Sequence, residues 1–182
     1  GFDSGGAEKG DVDTWTGDGQ IPVADTIPNV DHRFGSGEAT VLGLEILNSE
    51  GKATREVFGG EKVVVRVSVQ FNQDIQNPII GYTMRDRLGV ELTACNTSYA
   101  GKILPPGRKG QVVTSDFHIA LPYLATGSYS ISPAVAKGEI LKHDMCDWID
   151  NALVFSLQSD RLVYGQLRMD VDVRNYLSTR SG

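Results

Sequence analysis

No stretch of this sequence approaches the roughly 18 apolar residues of a membrane-spanning helix, and none shows the 3.6-residue apolar period of a long amphipathic one. Histidine is scarce. His32, His118 and His143 stand far apart, without the H-E-x-x-H spacing that puts two imidazoles on one helical face for zinc. No G-x-x-x-x-G-K-[ST] loop is present to surround a phosphate with backbone N–H groups; "FGGEKVV" at 58–64 has only a superficial likeness. No G-x-S-x-G elbow is present to expose a hydrolase serine. Cysteine occurs twice, at Cys95 and Cys146. An immunoglobulin-type bridge would call for a core tryptophan soon after the first cysteine, whereas Trp148 follows the second, so two free thiols are expected, as in a reducing compartment.

A basic excess is also missing. The net charge is -6, and residues 1–38 account for all of it with eight acids against two bases. The rest of the chain is neutral, which excludes the phosphate-neutralising surface of a nucleic-acid binder. What is present is a chain of 182 residues, 40% of them apolar, enough for one ordinary domain with a real core and additional segments. The opening "GFDSGG", without an initiating Met, reads as the start of a fragment, so the missing signal peptide carries no weight.

Residues 1–31 lack periodicity and are rich in Gly and Asp, with Pro22 and Pro28, so they read as a flexible acidic linker. Asp11, Asp13 and Asp18 fall short of a calcium loop, because Trp15 takes a ligand position and the closing Glu is absent. From residue 32 to 182 the pattern is a β-sandwich. "EATVLGLEIL" is a first strand and "EKVVVRVSVQF" alternates cleanly, with Val63, Val65, Val67, Val69 and Phe71 on one face. "IIGYTMRDRLGVELTACNTS" at 79–98 is a hairpin around "DRLG". The prolines and glycines of "YAGKILPPGRKG" mark a loop, and "QVVTSDFHIAL", "GSYSISPAVA" and "NALVFSLQ" read as further strands. Pro133 predicts an edge or bulged strand, and "HDMCDWID" is a candidate single helical turn. The last segment, "GQLRMDVDVRNY", alternates again and predicts a C-terminal strand. The fold class is all-β, an antiparallel immunoglobulin-like sandwich. Its core is expected to take Ile80, Tyr82, Met84, Phe117 and Ile119 along with the inward valines.

With catalytic motifs absent, the chemistry lies in polar and aromatic side chains on outward positions. Arg66, Ser68 and Gln70 are expected to share a surface with Thr83 and Arg85, joined by Asn96, Thr97, His118 and Trp148. Sugars need this mixture: hydroxyls bond to Arg, Asn and Gln, and the C–H face of the ring packs on an aromatic.

These segments resemble a known family. "HRFGSGEATVLGLEILNSEG" at 32–51, and more specifically "NPIIGYTMRDRLGVELTACNTSY" at 77–99, are similar to the C-terminal domain of Wzt-type proteins, and "LPYLATGSYSIS" and "CDWIDNALVFSL" follow in the order the family shows. Those proteins are nucleotide-binding subunits of bacterial ABC transporters that export O-antigen polysaccharide. The resemblance implies a non-catalytic domain that binds the exported polysaccharide, near its non-reducing end, on the cytoplasmic side of the inner membrane. It implies a homodimer working with an ATPase domain and a transmembrane subunit, with no insertion into the membrane itself. ATP would belong to the ATPase portion, leaving this domain without a cofactor. The dimer is expected to exchange residues at about 165–176. A purely structural or dimerisation module and a glycan-modifying enzyme are the alternatives.

Overall fold

The computed structural model describes residues 22–178, and ten strands form its frame, with no helix among the described residues. In chain order they are β1 (His32–Phe34), β2 (Ala39–Leu47), β3 (Glu56–Phe58), β4 (Lys62–Phe71), β5 (Pro78–Asp86), β6 (Glu91–Asn96), β7 (Val112–Ala120), β8 (Gly127–Glu139), β9 (Lys142–Asp150) and β10 (Leu153–Gln158). β2, β4 and β7 make one antiparallel sheet with β4 in the middle. The other seven make a second sheet around the 13-residue β8. One edge of β8 pairs with β5, which carries β6. The other edge is divided, with β9 on residues 134–139 and β10 on 127–131. β1 extends the sheet from β9, and β3 from β10 as a parallel pair.

The sheets close on the alternation read from the sequence. Val65, Val67, Val69 and Phe71 are at most 1% exposed and meet Ile80, Tyr82, Met84, Ile131, Val135, Ile149 and Phe155 from the opposing sheet. The Tyr82 ring lies edge-on to Phe117 at 5.2 Å, and burial pushes its hydroxyl up to about 12. Phe117 and Ile119 point inward as expected but are only partly buried, because β7 is an edge strand and nothing flanks its free side. Cys95 and Cys146 are both free, and burial raises both thiols. The β5–β6 turn uses the chemistry of "DRLG": Asp86 Oδ1 accepts from the N–H groups of Leu88 and Val90, both at 2.9 Å, and Gly89 takes φ 82.

A buried ion pair ties the sheets at one side. Arg33 grips Asp147 with Nε at 3.0 Å and Nη2 at 2.6 Å, and the same Nη2 donates to the Val41 carbonyl on β2. Asp147 Oδ2 also accepts the Val41 N–H at 2.8 Å. The bond to Asp147 holds the Arg33 guanidinium above its ordinary pKa.

Four expectations need correction. Pro133 lies in a central strand, not at an edge or a bulge. Its partner on the β9/β10 side changes there, β9 pairing from Ala134 onward and β10 up to Ile131, so its missing donor falls where neither strand is paired. The chain breaks from β9 to β10 at Asn151, φ 51, whose N–H is taken by Ser132 Oγ at 2.9 Å. Second, "HDMCDWID" is not a helical turn; it is most of β9, with Cys146 and Ile149 filling the core. Third, residues 22–31 are not free linker. Ala24 is 0% exposed, its N–H donates to Ser68 Oγ at 2.9 Å, and Thr26 accepts from the Leu44 N–H at 3.1 Å. Gly43 permits this approach, since a Cβ there would sit 2.4 Å from the Ala24 carbonyl. The aspartates of 11–18 lie outside the described residues. Fourth, residues 165–178 form no strand. Gln166 and Arg168 bond across to Ala125 and Tyr123, and beyond them the chain is exposed.

Candidate functional site

Strand parity places every expected site residue on an outer face or at a strand end, but on two different sheets. Arg66, Ser68, Gln70 and His118 lie on the outer face of the three-stranded sheet, whereas Thr83, Arg85 and Trp148 lie on the outer face of the seven-stranded one. The shared surface expected for them is therefore split by the whole thickness of the sandwich. On the first face Arg66 is closed by a two-pronged pair with Asp116, both bonds at 2.8 Å, which holds its guanidinium above the ordinary pKa. Ser68 is 0% exposed, bonded to Thr114 and covered by Ala24. Gln70 and His118 remain on that face, flanking these closed pairs along β4 and β7.

The polar end of the β5–β6 hairpin is a turn device. Asn96 Oδ1 accepts the Tyr99 N–H at 2.7 Å. Thr97 is 5% exposed, and its hydroxyl accepts from the Ile80 N–H at 3.3 Å. The Lys102 N–H closes the turn on the Thr97 carbonyl. Asn96 and Thr97 shape the chain reversal.

The outer face of the seven-stranded sheet holds a connected cluster. Across it, in register, run Asn96, Gly81, Ala134, Trp148 and Phe34, and beside them Ala94, Thr83 and Ser132. The floor is made of small side chains. Arg85 on β5 and Trp148 on β9 are two strands apart, about 10 Å between backbones. They lean toward each other over β8, the guanidinium carbon lying 5.8 Å from the indole centre. Ser132 and Thr83 on this face are accordingly buried. Trp148 Nε1 donates to Asp150 Oδ1 at 2.7 Å, and Arg85 Nη1 donates to the same oxygen at 3.0 Å. Arg85 Nη2 donates to Glu91 at 2.9 Å. These bonds raise the Arg85 pKa, Glu91 contributing most, and they hold Asp150 below the usual carboxylate range, the indole N–H contributing most. Phe34 stacks on Trp148 at 6.2 Å and 25°, and is 47% exposed; His32 follows Phe34 at 5.5 Å, with Nδ1 3.6 Å from Asp150.

The break at Asn151 supports this cluster from beside it. Ser130 Oγ donates to Asn151 Oδ1 at 2.8 Å, and Asn151 Nδ2 donates to Asp31 at 2.9 Å. Asn29 and Asn151 hold Asp31 below its ordinary pKa. Sequence reasoning missed His32, Phe34, Asp150, Glu91 and Asn151. β1 is three residues long, too short for any period to show, and Asp150 had been grouped with solvated loop acids. The arrangement offers a flat aromatic surface bordered by hydrogen-bonding groups, with no carboxylate standing alone. Among the described residues no set of three or more His, Cys, Asp or Glu side chains converges as a metal site. The enclosed hollow, of about 120 Å³, lies elsewhere, at the end of the sandwich between the β5–β6 turn and Tyr129, with Gln166 at its wall.

Comparison with known proteins agrees with this fold. No curated protein matches the sequence. The crystal structure of the C-terminal domain of wzt superposes with a TM-score of 0.75 at 16% identity, over 85% of this chain and 98% of that one. A Niemann-Pick type C2 protein from Japanese carpenter ant superposes with a TM-score of 0.50 at 11% identity, over 71% of this chain and 98% of that one. The family model of the Wzt C-terminal domain matches residues 30–169, from the strand that carries Phe34 to the start of the C-terminal segment, and the chain therefore belongs to the Wzt C-terminal domain family, a domain associated with ABC transporters.

Proposed function

We propose that this chain binds O-polysaccharide, in its non-reducing terminal region, without catalysing its turnover, and so couples recognition of the cargo to export by the transporter. The site is the outer face of the seven-stranded sheet. One observation carries the reading: Phe34 and Trp148 form an aromatic surface beside Arg85, Asp150 and Glu91, over a floor of Gly, Ala, Ser and Thr. A pyranose lays its C–H face on such rings and turns its hydroxyls to the charged rim. A shallow open face suits a polymer better than an enclosed pocket does. Binding without catalysis follows from the same geometry, because both carboxylates are engaged by Arg85. The ATPase domain and transmembrane subunit are its partners, on the cytoplasmic side of the membrane. ATP is bound by the ATPase domain, and this domain needs no cofactor of its own.

A homodimer is part of the reading. Leu167, Met169, Val171 and Val173 alternate with charged residues and are 49%, 75%, 74% and 69% exposed, an apolar strand face with no cover from its own chain among the described residues. β7 offers a free edge. Exchange of this strand between copies joins the two.

The test is calorimetric titration of polysaccharide from the producing cell. Trp148→Ala and Phe34→Ala should each weaken binding by about tenfold or more, equivalent to ~1.4 kcal/mol. Gln70→Ala and His118→Ala, on the opposite sheet, should leave it unchanged. The reverse pattern moves the site to the other face, and no binding by the parent chain rejects the carbohydrate reading.

A further inference from the structure

We infer that the face around Trp148 takes an uncharged part of the glycan and does not read a phosphate or other anionic group. This rests on the carbohydrate reading of that face and adds the class of ligand. An anion-reading arginine presents a free planar fork to the phosphate oxygens. Arg85 has none to present. One Nη donates to Asp150 at 3.0 Å and the other to Glu91 at 2.9 Å, and the side chain is only 19% exposed.

The surroundings are set against an anion as well. One cation faces two carboxylates here. Asp31, bonded to Asn151 at 2.9 Å, adds a third within range of the Asp150 charge. His32, the nearby side chain able to gain a proton, is aimed at that same carboxylate with Nδ1 3.6 Å from Asp150 Oδ2. Lys102 belongs to the turn after β6, on the far side of β5 and β8 from Trp148. A phosphate brought to Arg85 would either displace a carboxylate or sit beside both, in a partly buried site where like charges are poorly screened.

For neutral hydroxyls the same arrangement is favourable. Carboxylate lone pairs accept from sugar O–H groups, and guanidinium N–H groups outside the two pairs donate to sugar oxygens. The ion pairs fix the orientation of both. The indole, held by its own bond to Asp150 at 2.7 Å, keeps its plane fixed for the C–H face.

The experiment uses the 182-residue chain and polysaccharide purified from the producing cell, before and after removal of phosphate esters with hydrofluoric acid. Affinity should agree within about twofold between the two preparations, and between low salt and about 0.5 M salt. A loss of about tenfold on dephosphorylation or on adding salt, with Trp148→Ala still abolishing binding, overturns the uncharged-ligand inference and leaves the carbohydrate reading in place. Failure of both preparations to bind, or indifference to Trp148→Ala, overturns the carbohydrate reading and this inference together. Glu91→Gln gives an independent sign. It frees one side of Arg85, so a face built for sugar hydroxyls should bind the untreated polymer equally or more weakly, and tightening by about fivefold or more would instead assign Arg85 to an anion.

Discussion

Val67 sits at the middle of β4, with Leu44 and Ser115 opposite it in the two neighbouring strands, and none of its surface reaches solvent. Val67→Asp would put a carboxylate where no cation or water can meet it. The expected loss is roughly 3–5 kcal/mol, and denaturant titration of the soluble variant measures it. Asp147 is a different kind of residue, polar and 5% exposed because it joins the sheets. Asp147→Ala removes the partner of Arg33 and the acceptor for the Val41 N–H, costing roughly 2–3 kcal/mol, which in a domain of this size lowers Tm by about 5–10 °C. Asp150 adds a pH dependence. Its folded-state pKa lies below its unfolded value, through Trp148, Arg85 and His32, so its contribution is complete above the ordinary aspartate pKa of 3.8 and disappears as pH falls through the lower folded value. Tm of the parent should therefore drop more steeply below about pH 4 than that of Asp150→Asn, which lacks this contribution throughout. Parallel melts of the two proteins across that range decide it.

At the scale of elements, period-two alternation in β4 and β5 carried the register, and with it the core, straight from the sequence. It could not say what lies over an outward face. Ser68 points away from the core as expected and is buried all the same, because the segment before β1 crosses β2 and β4 there. Nor does alternation say which sheet a strand joins, and for this reason Arg66 and Arg85, both read correctly as outward, ended on opposite surfaces. Half of the aromatic surface was invisible because β1 has only three residues, fixed by pairing with β9 and not by any pattern of its own. The crossing segment makes a prediction. Gly43→Ala would place a methyl 2.4 Å from the Ala24 backbone, so residues 22–28 must lift. Amide exchange should speed up across that segment, with the core of β4 still protected. Unchanged exchange there would mean that Ala24 is not held against the sheet.

At the scale of the whole molecule, the unresolved matter is where the C-terminal strand goes. Antiparallel bonds link residues 123–125 to 166–168, with Leu124 opposite Leu167. If that register simply continued along the chain's own β7, Val171 would lie opposite Ala120 and Val173 opposite His118, on the outer face. Asp170 and Asp172 would then be directed toward the core, level with Leu121 and Ile119. A one-residue offset of this kind turns every apolar side chain to the wrong side, so the strand does not fold back on its own sheet in that register. A partner's edge imposes no such register, and covering Phe117 and Ile119, which β7 leaves half-buried, would bury the apolar face of both strands together. Truncation after Arg168 keeps the bonds to Tyr123 and Ala125 and removes only the unpaired part. It should convert a dimer to a folded monomer by light scattering, with β-sheet circular dichroism retained. Met169→Asp combined with Val171→Asp should do the same without shortening the chain, because a charge in the sandwich interior opposes docking more strongly than it disturbs an exposed strand. A truncated chain that remains a stable dimer would place the interface on another surface.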